Sequence, residues 1–328
     1  MRLLTVIFLL LLGCILTNSQ LGLSYAAMGL NLWFEKMIPS LLPFMMLSGI
    51  MVRMKLTDRA AMLIYPVVKP LAKVRKNVCY AMLMGFLCGF PMGARVVDDL
   101  YQRQMIDRRE AEYLLAFCNN IGPVYFCSFV LPLLGRRLVW PYFFGMYGIP
   151  LLYGMALRYT RFRDIPLPGK NLPLSGKEGG RPAALVACED KSGLAESRSA
   201  ARFWEKLLEA VDGSVQASVR SMLSLGGYMI LFNLLNLIPH LLFGRPVAPL
   251  SPLLEITGGL KLLGDAFPLY SLLALSFGGL SCIAQTYSCI GDSDLSISDY
   301  ILHKVVLTLL CGLFYLGWFL LLPGSFLR

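Results

Sequence analysis

Charge and histidine are what this chain has least of. Asp, Glu, Lys and Arg make up 15% of its 328 residues, against 56% hydrophobic residues, and that imbalance excludes an ordinary soluble domain of this size. The two histidines, His240 and His303, lie far apart, each at the edge of an apolar segment. Both read as ordinary interface histidines, and metal chemistry has little to work with. The nine cysteines contain no CxxC pair and most sit inside apolar runs, which argues against a zinc site and against a disulfide framework. No nucleophile–base–acid set and no phosphate-binding loop occurs either, so neither an enzyme nor a cofactor is expected.

The charge that is present is lopsided, with 30 Lys and Arg against 20 Asp and Glu, a net of +10. Eleven of the basic residues lie between Arg53 and Arg109 and ten between Arg158 and Lys206. They fall between apolar runs and line no single amphipathic face, which reads as cytoplasmic loops under the positive-inside rule and excludes nucleic acid as a partner. The composition predicts an all-α, polytopic integral membrane protein in contact with the lipid bilayer.

In chain order, Leu3 to Leu16 is a hydrophobic segment after Arg2. Leu11-Leu12-Gly13-Cys14 has the look of a lipoprotein cleavage box, but hydrophobic segments continue to the end of the sequence, which favours a retained first helix. Gly22 to Lys36 suits an interfacial helix, with Pro39 restarting the chain and Met37 to Val52 crossing. Ala60 to Ala72 reads as a short surface helix. Asn77 to Ala94 is short and broken at Gly89-Phe90-Pro91-Met92-Gly93-Ala94, as in a re-entrant hairpin. Arg95 to Glu112 has helical spacing and both signs of charge, predicting a solvated helix with Asp98 and Asp99 in water. Tyr113 to Leu134 is broken at Asn119-Asn120, and Leu138 to Leu157 returns.

Residues 159–201 are polar and rich in Pro, Gly, Ser and basic side chains, the composition of a flexible cytoplasmic linker. They divide the chain into a first membrane half, residues 1–158, and a second, residues 202–328. In the second half Arg202 to Val219 is amphipathic and Ser221 to Phe243 spans. Ser251 to Gly264 is again short and glycine-broken, Pro268 to Ile290 passes through Ser276-Phe277-Gly278-Gly279-Leu280-Ser281, and Ile301 to Leu322 crosses. Each half thus offers a span, a hairpin, a broken span and a plain span, entered from opposite faces. This predicts about seven spanning helices plus two re-entrant hairpins in an inverted repeat.

GFLCGFPMGAR (85–95), EAEYLLAFCNNIGP (110–123), LLEITGGL (253–260) and SFGGLSCIAQ (276–285) resemble, in this order, the YlbJ-type sporulation integral membrane proteins, which carry the nucleoside-recognition Gate domain. Cys282-Ile283 departs from the Val-His found before Ala-Gln in many members. The resemblance implies a spore-forming bacterium, a place in the cell membrane or outer forespore membrane, and alternating-access transport of dipicolinate from mother cell to forespore. A likeness to concentrative nucleoside transporters keeps nucleosides open as the solute, and a non-transporting scaffold for spore envelope assembly is the other alternative.

A flat dianion wants amide donors, half-helix N-termini and a positive charge. The expected solute contacts are therefore Gly89, Pro91, Gly93 and Arg95 at the first break and Asn119 and Asn120 at the second. Gly258, Gly278, Gly279, Ser281 and Gln285 are their counterparts in the second half. Close helix packing is the alternative for the glycines, helix–helix hydrogen bonding for the asparagines and Gln285, and cytoplasmic anchoring for Arg95. Glu255, an acid within the second hairpin, is the candidate for coupling to a driving ion.

Overall fold

The computed structural model describes residues 2–165 and 193–322. The flexible-linker segment therefore falls largely on residues outside the described ones. Every regular element among the described residues is helical, with no sheet. Four helices are long and apolar enough to cross a membrane: Ser19–Arg53, Arg202–Phe243, Pro268–Ile290 and Ile297–Leu321. Their outward faces carry side chains that a soluble protein would bury, among them Leu223, Leu242, Leu309, Leu313 and Leu320, each more than half exposed. Hydrocarbon is the solvent such a surface calls for.

Two sequence expectations are corrected here. Pro39 does not restart the chain, because the helix runs through from Ser19 to Arg53. A proline removes one backbone donor, and the ladder adjusts just ahead of it by a π-turn at Trp33–Met37. Trp33 at that turn donates from Nε1 to the Met222 carbonyl at 2.9 Å, tying the bulge to the second half. Likewise Arg202 to Val219 is no separate amphipathic element but part of the helix Gly193–Leu234. The first half also extends past Leu157. Arg158 is buried, and its guanidinium donates to the carbonyls of Ala72 (3.0 Å), Phe162 (2.7 Å) and Ile165 (3.0 Å).

The broken segments form as helix–break–helix units. Lys76–Cys88 ends at Gly89 and Met92–Gln102 begins after Pro91. Arg108–Leu115 starts in a capping box made by Asp107 and Glu110 and unwinds before Pro123–Leu134 begins. Ser251–Leu254 and Ile256–Leu263 flank Glu255, and Pro268–Phe277 and Gly279–Ile290 flank Gly278.

Arg95 to Glu112 is two helices, not one solvated helix. Met92–Gln102 lies outside the four candidate spans, yet it packs Val96, Val97, Asp98 and Leu100 inward, and Asp98 is only 4% exposed. Gln102 Nε2 donates to Asp98 Oδ2 at 2.7 Å, while Oδ1 has no hydrogen-bond partner. Burial pushes the Asp98 carboxyl up to about 6. The folded protein therefore holds this proton more tightly than the unfolded chain. The stability linked to it is complete below about pH 4 and is lost as the pH rises through about 6, at a cost of roughly 2–3 kcal/mol. Asp98→Asn should accordingly raise the melting temperature near pH 7.5 and flatten its change between about pH 5 and 7.5, measured by scanning fluorimetry in detergent.

Candidate functional site

The four breaks meet. Phe90 N donates to the Asn120 carbonyl at 2.7 Å, joining the first break to the second. Tyr125, just beyond the second, donates its hydroxyl to Thr257 Oγ1 of the third at 3.2 Å. Gly279 of the fourth is so close to the third that a methyl there would lie 3.0 Å from the Pro252 carbonyl oxygen. A methyl on Gly278 would lie 3.5 Å from the Phe90 ring, which closes the circle. Glycine at the first, second and fourth breaks removes the bulk that would keep these main chains apart.

Inside the circle is a small cavity. Cys88 and Phe90, Ile121, Gly122 and Tyr125, Glu255, Ile256 and Thr257, and Gly278, Ser281, Cys282 and Gln285 supply its wall from the four breaks. Met37, Leu41, Leu225 and Met229 close it from the two long helices. Its volume is only about 30 Å³, room for one or two waters. The cavity is a contracted seat, and a solute of drug size would have to move its walls.

Glu255 is 2% exposed and caps the helix Ile256–Leu263. Its Oε1 accepts from Thr257 N at 3.0 Å and its Oε2 from Gly258 N at 2.6 Å and from Asn233 Nδ2 at 3.1 Å. All three partners donate to the carboxyl group. Two other helix starts face the cavity through residues that carry no side-chain cap: Gly122 before Pro123 and Gly278 before Gly279–Ile290. The cavity is therefore edged by positive helix ends, one of which is already capped by the carboxyl group of Glu255.

Of the sequence-predicted contacts, Gly278, Ser281, Gln285 and Glu255 line the cavity. Gly89, Gly93, Gly258 and Gly279 shape it from behind by close packing, a methyl on Gly93 meeting the Cys118 carbonyl oxygen at 2.9 Å, while Pro91 is buried at the start of the helix Met92–Gln102 and does not line the cavity. Asn119 and Asn120 are buried one layer back. Asn119 Nδ2 donates to Thr286 Oγ1 (2.9 Å) and Tyr300 OH (3.2 Å), and Asn120 Nδ2 to the Phe117 carbonyl (2.6 Å). Arg95 stands apart, against Ser221 Oγ at 3.0 Å and Asp99 at 3.5 Å. It lines a second small cavity together with Arg53, Arg103, Asp99, Ser48, Ser214 and Ser218.

Sequence reasoning missed Asn233, Tyr125 and Lys304. Lys304 Nζ donates to the Asn119 carbonyl at 3.0 Å and to Asn120 Oδ1 at 3.3 Å. A lone lysine eight residues into a 25-residue apolar helix was the available signal. The histidines are more committed than interface residues. His240 Nδ1 pairs with Tyr25 OH at 2.8 Å, and buried His303 pairs through Nδ1 with Tyr153 OH at 2.6 Å.

No family model and no solved structure matches the chain. Among curated proteins, "Sporulation integral membrane protein YlbJ" of Bacillus subtilis (strain 168) is 26% identical over 338 aligned positions, which cover 91% of this chain and 78% of the relative. A similarity running through nearly all of both halves, together with four helices of spanning length, agrees with the resemblance carried by the four motifs. The chain is an integral membrane protein and a distant homologue of the sporulation protein YlbJ.

Proposed function

We propose that the protein is a sporulation-associated permease that moves a small anionic metabolite, dipicolinate, from mother cell to forespore by alternating access. The observation that carries this is the convergence of four main-chain breaks on one small cavity. Unwound backbone at membrane depth is tolerated where it lines a cavity, and transporters bind solutes at such breaks. In this reading the broken units of the two halves are inverted repeats, with Asn77 to Ala94 and Ser251 to Gly264 as the re-entrant hairpins among about seven spans. Exchange of their packing opens the seat to each side in turn. Glu255 would couple the cycle to an ion.

The second cavity supports an anionic solute. Arg53, Arg95 and Arg103 face one carboxylate there, Asp99, which leaves a surplus of two positive charges on the arginine-rich side. Guanidinium groups suit carboxylates by geometry as well as charge. This cavity would gather the dianion before it reaches the seat. One observation favours a nucleoside instead: the seat itself is walled by a carboxylate, an amide and hydroxyls, with no basic side chain.

Purified protein in liposomes, offered dipicolinate and nucleosides in parallel, separates the two. Uptake of dipicolinate alone is the expected result, and Arg95→Gln should lower its apparent affinity by about tenfold, the loss of one charged hydrogen bond. Nucleoside uptake indifferent to Arg95→Gln would transfer the function to the alternative, and uptake of neither would end the permease proposal.

A further inference from the structure

Lys304 is the cation in the last helix that the proposed transport does not use. It is 2% exposed, and among the described residues no carboxylate pairs with it. Its two acceptors, the Asn119 carbonyl and Asn120 Oδ1, both belong to the unwound stretch between Arg108–Leu115 and Pro123–Leu134. A third oxygen of the same stretch, Asn119 Oδ1, is buried without a hydrogen-bond partner.

The other groups around Lys304 offer it no counter-charge. The thiols of Cys282 and Cys311 face it. Tyr300, one turn back, accepts from Asn119 Nδ2 and contacts Cys282 Sγ at 3.8 Å. His303 and Asp299 on the same helix turn to Tyr153 and Arg161. The ammonium is therefore held by oxygen dipoles of a broken helix. Such oxygens, carbonyls at the C-terminal end of a half-helix, are the ligands by which secondary transporters hold a mobile monovalent cation.

We infer that Lys304 is a tethered cation: its ammonium fills a seat built by the oxygens of Asn119 and Asn120 that would otherwise take an ion such as Na⁺. The second break keeps its shape without a bound metal ion, and the protein is independent of Na⁺. Shortening Lys304 empties the seat and turns a Na⁺-independent protein into a Na⁺-dependent one. The step from ion seat to transport rests on the permease proposal, whereas the ion seat itself does not.

The test is the melting temperature of the full-length protein in detergent, in NaCl against choline chloride. The wild type should melt alike in both. Lys304→Ala should melt lower in choline and recover by roughly 3 °C or more on adding about 100 mM Na⁺ or methylammonium, the effect of a ligand near ten times its Kd. Lys304→Met, which refills the space without charge, should respond to neither.

Stabilisation of the wild type or of Lys304→Met by Na⁺, or indifference of folded Lys304→Ala to both cations, would overturn the inference. Should Lys304→Ala not fold, Lys304→Ser keeps a hydroxyl ligand and is read in the same way, and the wild-type arm decides in any case. Solute counterflow in liposomes, which needs no driving ion, separates this from the permease proposal. Counterflow with the wrong melting pattern removes only the tethered cation, and the right pattern without counterflow for any solute offered removes only the permease.

Discussion

Gly89→Ala is expected to leave no folded protein in detergent extracts of the membrane. Gly89 has φ of +77°, where a side chain is strained, and a methyl there would lie 2.3 Å from Gly122 N and 2.8 Å from the Asn120 carbonyl oxygen. Both obstacles are main chain, and the neighbouring Phe90 N–Asn120 O bond of 2.7 Å pins them. Relief would require separating the first two breaks, at a cost of at least about 4 kcal/mol. Gly135→Ala is the control: φ is +87° there, yet nothing lies within 4 Å of the added methyl. It should lose only the backbone strain, about 1–3 kcal/mol. Size-exclusion profiles of the two variants compare them directly, and a Gly89→Ala profile matching the wild type would refute the close approach of the breaks.

Glu255→Ala has the next largest expected effect, because three buried donors lose their acceptor together: the amides of Thr257 and Gly258 and the side chain of Asn233. Stranded donors cost more than the bonds contribute, and a loss of about 3 kcal/mol is expected. Glu255→Gln separates architecture from coupling. It keeps one oxygen for the helix start but cannot exchange a proton or pair with a cation. If it folds, binds solute and no longer responds to an ion or pH gradient, Glu255 couples transport. Unchanged transport with unchanged pH dependence would leave Glu255 only its capping role. Lys261, on the same helix and exposed, is no partner for it.

The breaks were legible because glycine, proline and asparagine announce them locally. Gly89-Phe90-Pro91, Asn119-Asn120, the glycines after Glu255 and Gly278-Gly279 interrupt apolar runs that would otherwise be continuous helix. Pro39 announced a break that did not form, since a proline near a π-turn can be absorbed. What a linear reading does not carry is which break touches which. The Phe90–Asn120, Tyr125–Thr257 and Gly279–Pro252 contacts join residues 27 to 132 positions apart in sequence, and no period encodes them. Arg95 was read as a contact at the break beside it, but its side chain is carried to the second cavity. Asn233 and Lys304 each stand singly in long apolar helices, where one polar side chain barely alters the pattern.

The breaks that meet around the seat are held to one another partly through main chain, by the Phe90 N–Asn120 carbonyl bond and the close approach of Gly279 to the Pro252 carbonyl. Peptide groups are the same whatever residue carries them, so the shape of the opening is insulated from most sequence drift. The polar side chains of the wall are few: Tyr125, Glu255, Thr257, Ser281 and Gln285, with the thiols of Cys88 and Cys282 beside them. Such a division lets a lineage exchange one cargo for another by altering a handful of side chains while the scaffold diverges around a fixed aperture.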